Sequence, residues 1–433
     1  MSVDTDHTAP TTSANRAALW PAFLPPSQHG NDGRCAVSAD GVRIRFADGA
    51  DVLCGTSGLW NTPLGYGNRH VAEATYEALR NASYLNAFRY ENVYARRAAA
   101  ELIDVADPAH YARVIFSTSG GAANDTVSKL VRQTHALRGA AGRKIIVGMT
   151  GSYHGLTFGS FALTGEDLGQ QMYGVDTRLV RHVPPNDLDG LRATLSRIGN
   201  SVGAIIAEPV LGTGTLPLTD EYIAELCSLR DEYGFLLVAD EVATGFGRTG
   251  SFFASQRWPS PPDLLITSKG LTNGTQACAA ILVSNQVART FGDADAVLGH
   301  AETQAGTAVA CAAISATISE MHRLDAVAAG KTVGDALGEA LTSLQQSEDS
   351  VAAVSGMGCF RSITLSTPDG APLEPSDVPQ LVAAIRDAGA VVHPGPSGVQ
   401  LVPALVYSRP EVRELIQAVS DGIGSFWESR TNR

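Results

Sequence analysis

The chain has 433 residues, more than a single core unit usually holds, and 44% of them are hydrophobic, enough for a large interior. Its formal charge of −12 argues against a nucleic-acid backbone as partner, and no run approaches the roughly 18 apolar residues of a membrane-spanning helix. Six cysteines (Cys35, Cys54, Cys227, Cys278, Cys311 and Cys359) lack C-x-x-C spacing, so they read as reduced core thiols of a cytoplasmic protein, with no metal expected.

Taken in order, residues 1–18 are polar, lack an apolar signal core and are expected to form a disordered arm. Gly41–Phe46 alternates polar and apolar before a turn, which predicts a hairpin. Gly58–Gly67 is too glycine-rich for regular structure, and its Trp60 suits either core or a pocket wall. His70–Asn81 and Val93–Ile103 read as helices around an aromatic loop, Tyr84–Tyr90. Within that loop Arg89 needs an anion or a route to solvent, while Phe88 suits packing as well as a pocket.

Tyr111–Phe116 is a predicted strand leading into Ser119-Gly120-Gly121 and a helix to about Leu137. Ser119 can cap that helix, and the glycines let backbone N–H groups approach an anion at its positive end. An ordinary N-cap has the same appearance. Lys144–Met149 is a further strand, followed by Gly151-Ser152-Tyr153-His154-Gly155. Ser201–Ala207 is a buried strand ending on Glu208. After a helix over Tyr222–Tyr233 come five apolar residues, Phe235–Ala239, closed by Asp240-Glu241-Val242 and a glycine turn. A continuous apolar run fits a strand buried on both faces. The run Asp263–Ser268 closes on Lys269-Gly270, and Ala277–Ser284 is one more strand. Gly299–Thr307 opens a long alanine-rich helix, where Thr303 suits an N-cap as well as a functional role.

The recurrence of strand, turn and helix predicts an α/β fold with a large, mostly parallel sheet flanked by helices. A smaller α+β domain would be built from N- and C-terminal segments. The boundaries expected are 19–75 and 321–433 for the small domain and 76–320 for the large one.

An Asp closing one buried strand and a Lys closing the next set an acid and an amine at one sheet edge, where open α/β sheets bind ligands. Pyridoxal 5'-phosphate needs that pair, since its aldehyde takes a lysine and its ring nitrogen a carboxylate. Of four lysines (Lys129, Lys144, Lys269 and Lys331), only Lys269 closes a buried strand beside a glycine. The segment Gly245-Phe246-Gly247-Arg248-Thr249-Gly250 matches G-x-G-x-x-G, but three prolines and no helix follow it, unlike a dinucleotide site.

Asp240-Glu241-Val242, the glycine turn with Arg248 and Ser268-Lys269-Gly270 together resemble the class III aminotransferases, pyridoxal-phosphate enzymes of fold type I, with motifs in order from about residue 40 to about 410. The resemblance implies that Lys269 takes the cofactor's aldehyde and carries the proton, and that Asp240 faces the pyridine nitrogen. It implies a phosphate site at Ser119, Gly120 and Gly121, ring faces covered by Tyr153 and Val242, and Glu208 beside O3'. Thr303 would reach a partner's phosphate across a homodimer interface, and Trp60, Phe88 and Arg89 would line the substrate pocket. The chain departs from the pattern at Ala122, in place of an acid, and at Gln304, in place of a tyrosine. Gln400 stands where many relatives carry an arginine for the substrate's α-carboxylate. The implied partners are an amino donor and a carbonyl acceptor, free or peptide-borne. The subgroup resembled is that of bacterial natural-product pathways, including enzymes that aminate a ketone at the end of a daptide-type ribosomal peptide. An aminomutase, decarboxylase or racemase uses the same cofactor parts, and a nucleotide-binding oxidoreductase is the alternative from another class.

Overall fold

Residues 18–431 are described by the structure, a computed structural model. All but the last residue of the expected N-terminal arm lies outside them. The large domain is organised on a seven-stranded sheet in the order Tyr111–Ser117, Ala279–Ser284, Leu264–Thr267, Leu236–Asp240, Val202–Ala207, Ile145–Met149 and Val180–Val183. Ala279–Ser284 runs antiparallel to both neighbours, and the others share one direction.

The central strand shows why the apolar run is continuous. Leu236 and Val238 enter one buried cluster with helix Gly120–Leu137. Leu237 and Ala239 enter another with helices Leu188–Ile198 and Asp220–Tyr233. Successive side chains point to opposite faces, so a strand covered on both sides must be apolar throughout. Each fully buried leucine or valine contributes roughly 1.5–3 kcal/mol. Local signals set the helix limits. Ser119 Oγ accepts from Ala122 N (3.2 Å) and Thr219 Oγ1 from Tyr222 N (3.2 Å), while Gly234 ends its helix at φ 70°.

Strands Ala36–Asp40, Arg43–Phe46 and Asp51–Cys54 share a sheet with Ala390–Val391, which lies parallel to Asp51–Cys54. The two ends of the chain therefore build one small domain. Its second sheet orders Val351–Met357, Phe360–Leu365, Gly398–Leu401 and His393–Pro394. Helices Ala326–Ser347, Val378–Asp387 and Arg409–Thr431 complete it.

The boundaries expected at 75/76 and 320/321 fall inside helices Arg69–Ala82 and Ala308–Arg323, which pack on each other. One expectation needs correction. The long helix starts at Ala308 with Thr307 as its N-cap, because Gly306 at φ 67° turns the chain just before it. Thr303 lies upstream, in a turn, and caps nothing. Among the described residues no helix is long and apolar enough to cross a membrane.

Candidate active site

The ends of the parallel strands bring the acids and the lysine together. Asp240 is the last residue of the central strand and is 2% exposed. Its Oδ2 accepts from His154 Nδ1 (2.8 Å) and Asn124 Nδ2 (3.0 Å), and its Oδ1 from Val242 N (3.1 Å). Burial opposes the charge, but the His154 and Asn124 bonds and the Val242 N–H outweigh it and hold the carboxyl below its usual range. Burial likewise disfavours a charged His154, yet the bond to Asp240 and that carboxylate's charge hold its pKa above the ordinary value. Asp240 is thus a fixed anion at the floor of the site.

Glu208 follows the neighbouring strand. Its Oε1 accepts from Tyr153 N (2.9 Å) and its Oε2 from Gly212 N (2.9 Å). Burial pushes it up to about 7; His154 opposes the rise and Asp240 adds to it. Glu241 points the other way, accepting from Ser255 N (2.6 Å) and Thr244 Oγ1, and so belongs to the packing.

Lys269 lies two residues beyond strand Leu264–Thr267 at φ 47°, a backbone region costly for a side chain as large as lysine. Its Nζ lies 4.4 Å from the centre of the Trp60 ring. Desolvation pushes the amine down to about 8, against the pull of Asp240 and Glu208 and aided by Arg248. Trp60 rests on Phe360 (5.6 Å between ring centres) and His393 (5.2 Å). It is carried on a left-handed turn, with Ser57, Gly58, Leu59 and Trp60 at φ 42°, 60°, 59° and 67°. Such a turn costs about 1–2 kcal/mol for each residue other than glycine. Ser57 Oγ donates to Val402 O and ties it down.

At the start of helix Gly120–Leu137 no acidic side chain neutralises the first turn. A Cβ on Gly120 would stand 3.2 Å from Val242 Cγ2, so the glycine lets the helix end approach the strand end that carries Asp240. The geometry is that of an anion site beside a buried, ionised acid. Glu302, which the sequence reading passed over, braces this corner. It accepts from Ser117 Oγ (2.6 Å), Thr118 N (2.9 Å) and Thr118 Oγ1.

Other expected residues stand apart. Phe88 is 56% exposed, and Arg89, also exposed, touches its ring at 5.4 Å. Tyr84 Oη donates to Thr303 O (2.8 Å), so the aromatic loop and the Thr303 turn form one outward projection. Gln400 is 1% exposed and gives its Nε2 hydrogens to Gly212 O (2.6 Å) and Thr215 Oγ1 (2.9 Å). Neither N–H is left for a ligand. The G-x-G-x-x-G segment is core: Arg248, 1% exposed, donates to Pro403 O (2.7 Å), and its own carbonyl accepts from Cys359 N.

The sequence profile of "Aminotransferase class-III" matches residues 26–423. The chain belongs to the class-III aminotransferases. An omega-aminotransferase of Caulobacter vibrioides is 27% identical, aligned over 94% of this chain and 97% of its own. An acetylornithine aminotransferase of Mycolicibacterium smegmatis is 30% identical over 92% of this chain and 96% of its own. An (S)-enantioselective omega-transaminase from Thermomicrobium roseum has a solved structure with a TM-score of 0.90, 26% identity and coverage of 96% and 99%. This aminotransferase uses pyridoxal phosphate, and its residues fit the group. Asp240 is an ionised acid, Lys269 an amine lowered toward neutrality, and the first turn of the glycine-lined helix carries no acid of its own. The antiparallel direction of Ala279–Ser284 and the left-handed Trp60 turn had no clear sequence signal. Asn124 and His393 were equally hidden, since their roles arise from long-range packing.

Proposed function

We propose that this aminotransferase works as a homodimer with active sites completed across the interface, and that at least one of its substrates bears no carboxylate on the reacting carbon. The observation that carries the second statement is Gln400, a neutral amide where many relatives carry an arginine, with both N–H groups spent on Gly212 O and Thr215 Oγ1. Arg248, also buried, turns Nη1 to Pro403 O. His393 is held down to about 4 by burial and by Lys269, so it is neutral at working pH. Against the amine lies the ring of Trp60, itself packed on Phe360. The first statement is supported by the exposed aromatic projection with Phe88, Arg89 and Thr303, which a second copy would cover.

Pyridoxal phosphate, when bound, supplies the electron sink that lets a Cα–H bond ionise. Ser119, Gly120 and Gly121 would hold its phosphate with the second copy's Thr303. Tyr153 and Val242 would flank the ring, and Glu208 would lie beside its hydroxyl. Asp240, kept ionised by His154 and Asn124, would hold a proton at the ring nitrogen through a charge-assisted bond. Lys269 would take the aldehyde and, once a substrate amine had displaced it, would be the desolvated free amine placed to take the Cα proton and return it. Trp60 would shield that amine from water.

A peptide-borne carbonyl, as in natural-product assembly, is the acceptor we favour, supported by the neutral, fully engaged amide of Gln400. A cytoplasmic setting is supported by six free thiols, five of them buried. The test compares matched amines with and without the carboxylate, and free and peptide-terminal ketones, by the change in cofactor absorbance in half-reactions. Carboxylate-free amines should react at rates comparable to amino acids. Reaction of α-amino acids alone, abolished by Arg89→Ala, would transfer the carboxylate site to Arg89 and overturn the substrate reading.

A further inference from the structure

The turn Gly212–Thr215 links the short paired strands Val210–Leu211 and Leu216–Pro217, which follow Glu208. Three side chains of one small-domain sheet grip it. Ser355 Oγ donates to Thr215 O (2.9 Å), Ser362 Oγ to Gly214 O (3.4 Å), and Gln400 Nε2 to Gly212 O (2.6 Å) and Thr215 Oγ1 (2.9 Å). Thr215 is fully buried and held at φ 54°, so the turn has one tightly packed conformation. Only Gln400 takes hold at Gly212, and the N–H of that residue donates to Glu208 Oε2 (2.9 Å). Tyr153 N holds the other carboxylate oxygen (2.9 Å). A path of contacts thus runs from the small-domain sheet through the single residue Gly212, whose C=O and N–H lie on adjacent peptide groups, to Glu208.

We propose that Gln400 is a positioning residue for Glu208: by holding the Gly212 carbonyl it fixes the backbone of that residue and so aims its N–H, on the preceding peptide group, at the Glu208 carboxylate, and the seating of the small domain controls this acid. The inference rests on the reading of this pocket as the pyridoxal-phosphate site only for its consequence in catalysis; the path of bonds stands without it. A buried amide with both N–H groups engaged by main chain and a hydroxyl is built to hold backbone in place. Leucine at this position would keep much of the volume and lose both bonds.

The charged groups facing Glu208 are Asp240, which raises its pKa, His154, which lowers it, and Lys269, which senses it in turn. Its folded value of about 7 exceeds the ordinary 4.5. A raised acid favours the folded state fully below its unfolded value, and that contribution is lost as pH rises to the folded value. Stability of the holoenzyme to denaturant, measured from pH 4.5 to 9 with and without Glu208→Gln, isolates the Glu208 contribution as a difference curve. In the Gln400→Leu background the upper end of that curve should move up by about one pH unit, the scale of one backbone N–H on a carboxylate. Ser355→Ala, which releases Thr215 but not Gly212, should lower stability without moving it. An unmoved curve in Gln400→Leu, or an equal shift in Ser355→Ala, would overturn the proposal. If the leucine variant does not fold, Gln400→Asn, too short to reach Gly212, replaces it with the same two outcomes. Cofactor absorbance of the parent is recorded first, so failure of the pyridoxal-phosphate reading would show as a colourless parent and not as an unmoved curve.

Discussion

The strand-end cluster and the Tyr84–Tyr90 projection treat charge and apolar surface in opposite ways. At the strand ends each carboxylate has named donors: three for Asp240 and two for Glu208. On the projection Tyr84, Phe88 and Tyr90 are 44%, 56% and 74% exposed, and Arg89 meets only the face of Phe88. Leaving rings in water forgoes roughly 25 cal/mol for each Å² that burial would have gained. The carboxylates of the first region are satisfied within one chain, whereas the second leaves its rings in water, which is the composition of an interface. The difference separates groups that the chain satisfies by itself from a surface that the proposed second copy would cover.

The largest effect should fall on the strand-end cluster. Lys269→Ala removes the amine that carries the proton, and turnover should drop by about 10⁴ or more, the upper range for a positioned acid–base group. Borohydride treatment of the parent should fix the cofactor on the peptide bearing Lys269. Label on Lys129, Lys144 or Lys331 would break the assignment. Asp240→Asn should keep the cofactor but lose on the order of a hundredfold in turnover, comparable to other electrostatic stabilisers. A loss under about threefold would show that the three donors around Asp240 serve packing alone.

How much of this was legible in the sequence follows the same division. The strand ends are marked by local chemistry: a run such as Phe235–Ala239 closing on an acid, or Ser119 before two glycines, carries its own signal. So the sheet, the helix over Gly120–Leu137 and the Asp240–Lys269 pair are readable from residues alone. Partnerships across long separations are not. Gln400 to Gly212 spans 188 residues and Glu302 to Thr118 spans 184, and no spacing rule connects them. The Trp60 turn was hidden for another reason: only Gly58 of its four residues tolerates a left-handed backbone cheaply. The helix start was misplaced because Thr303 and Thr307 are equally good caps by type, and Gly306 between them decides the matter through its conformation.

A smaller effect tests the projection. Lys269→Ala chains mixed with Thr303→Trp chains, each inactive alone, should form mixed dimers with one intact site. Random pairing would restore roughly a quarter of the parent activity. Full activity of Thr303→Trp by itself, or of dilute monomer, would show that the site is complete in one chain. Arg89→Ala belongs with this test, since it lies on the same projection and should act only on the partner's site.

The smallest effect concerns the tie between the two regions. Glu302 sits on the turn that carries Thr303, yet its carboxylate reaches Ser117 and Thr118 at the entrance to the phosphate helix and meets His300 Nε2 at 3.3 Å. Burial disfavours its charge, but the Ser117 and Thr118 bonds and the His300 contact prevail and hold its pKa below the ordinary 4.5. A depressed acid stabilises the folded state above its unfolded value and loses that contribution as pH falls through the folded value. Glu302→Gln keeps the shape but turns one acceptor oxygen into a donor facing Thr118 N–H or the Ser117 hydroxyl. At pH 7 the variant should be less stable by about 1–3 kcal/mol, the cost of a lost bond to a charged group. Its deficit should shrink as pH falls below the ordinary 4.5 and through the lowered folded value, because the parent loses the same stabilisation there. If the tie also orders the helix entrance, the variant should bind pyridoxal phosphate about fivefold more weakly, an effect near 1 kcal/mol. A stability deficit with unchanged cofactor affinity would mean that Glu302 braces the turn without reaching the phosphate site, and the two regions would then be coupled only through the second copy.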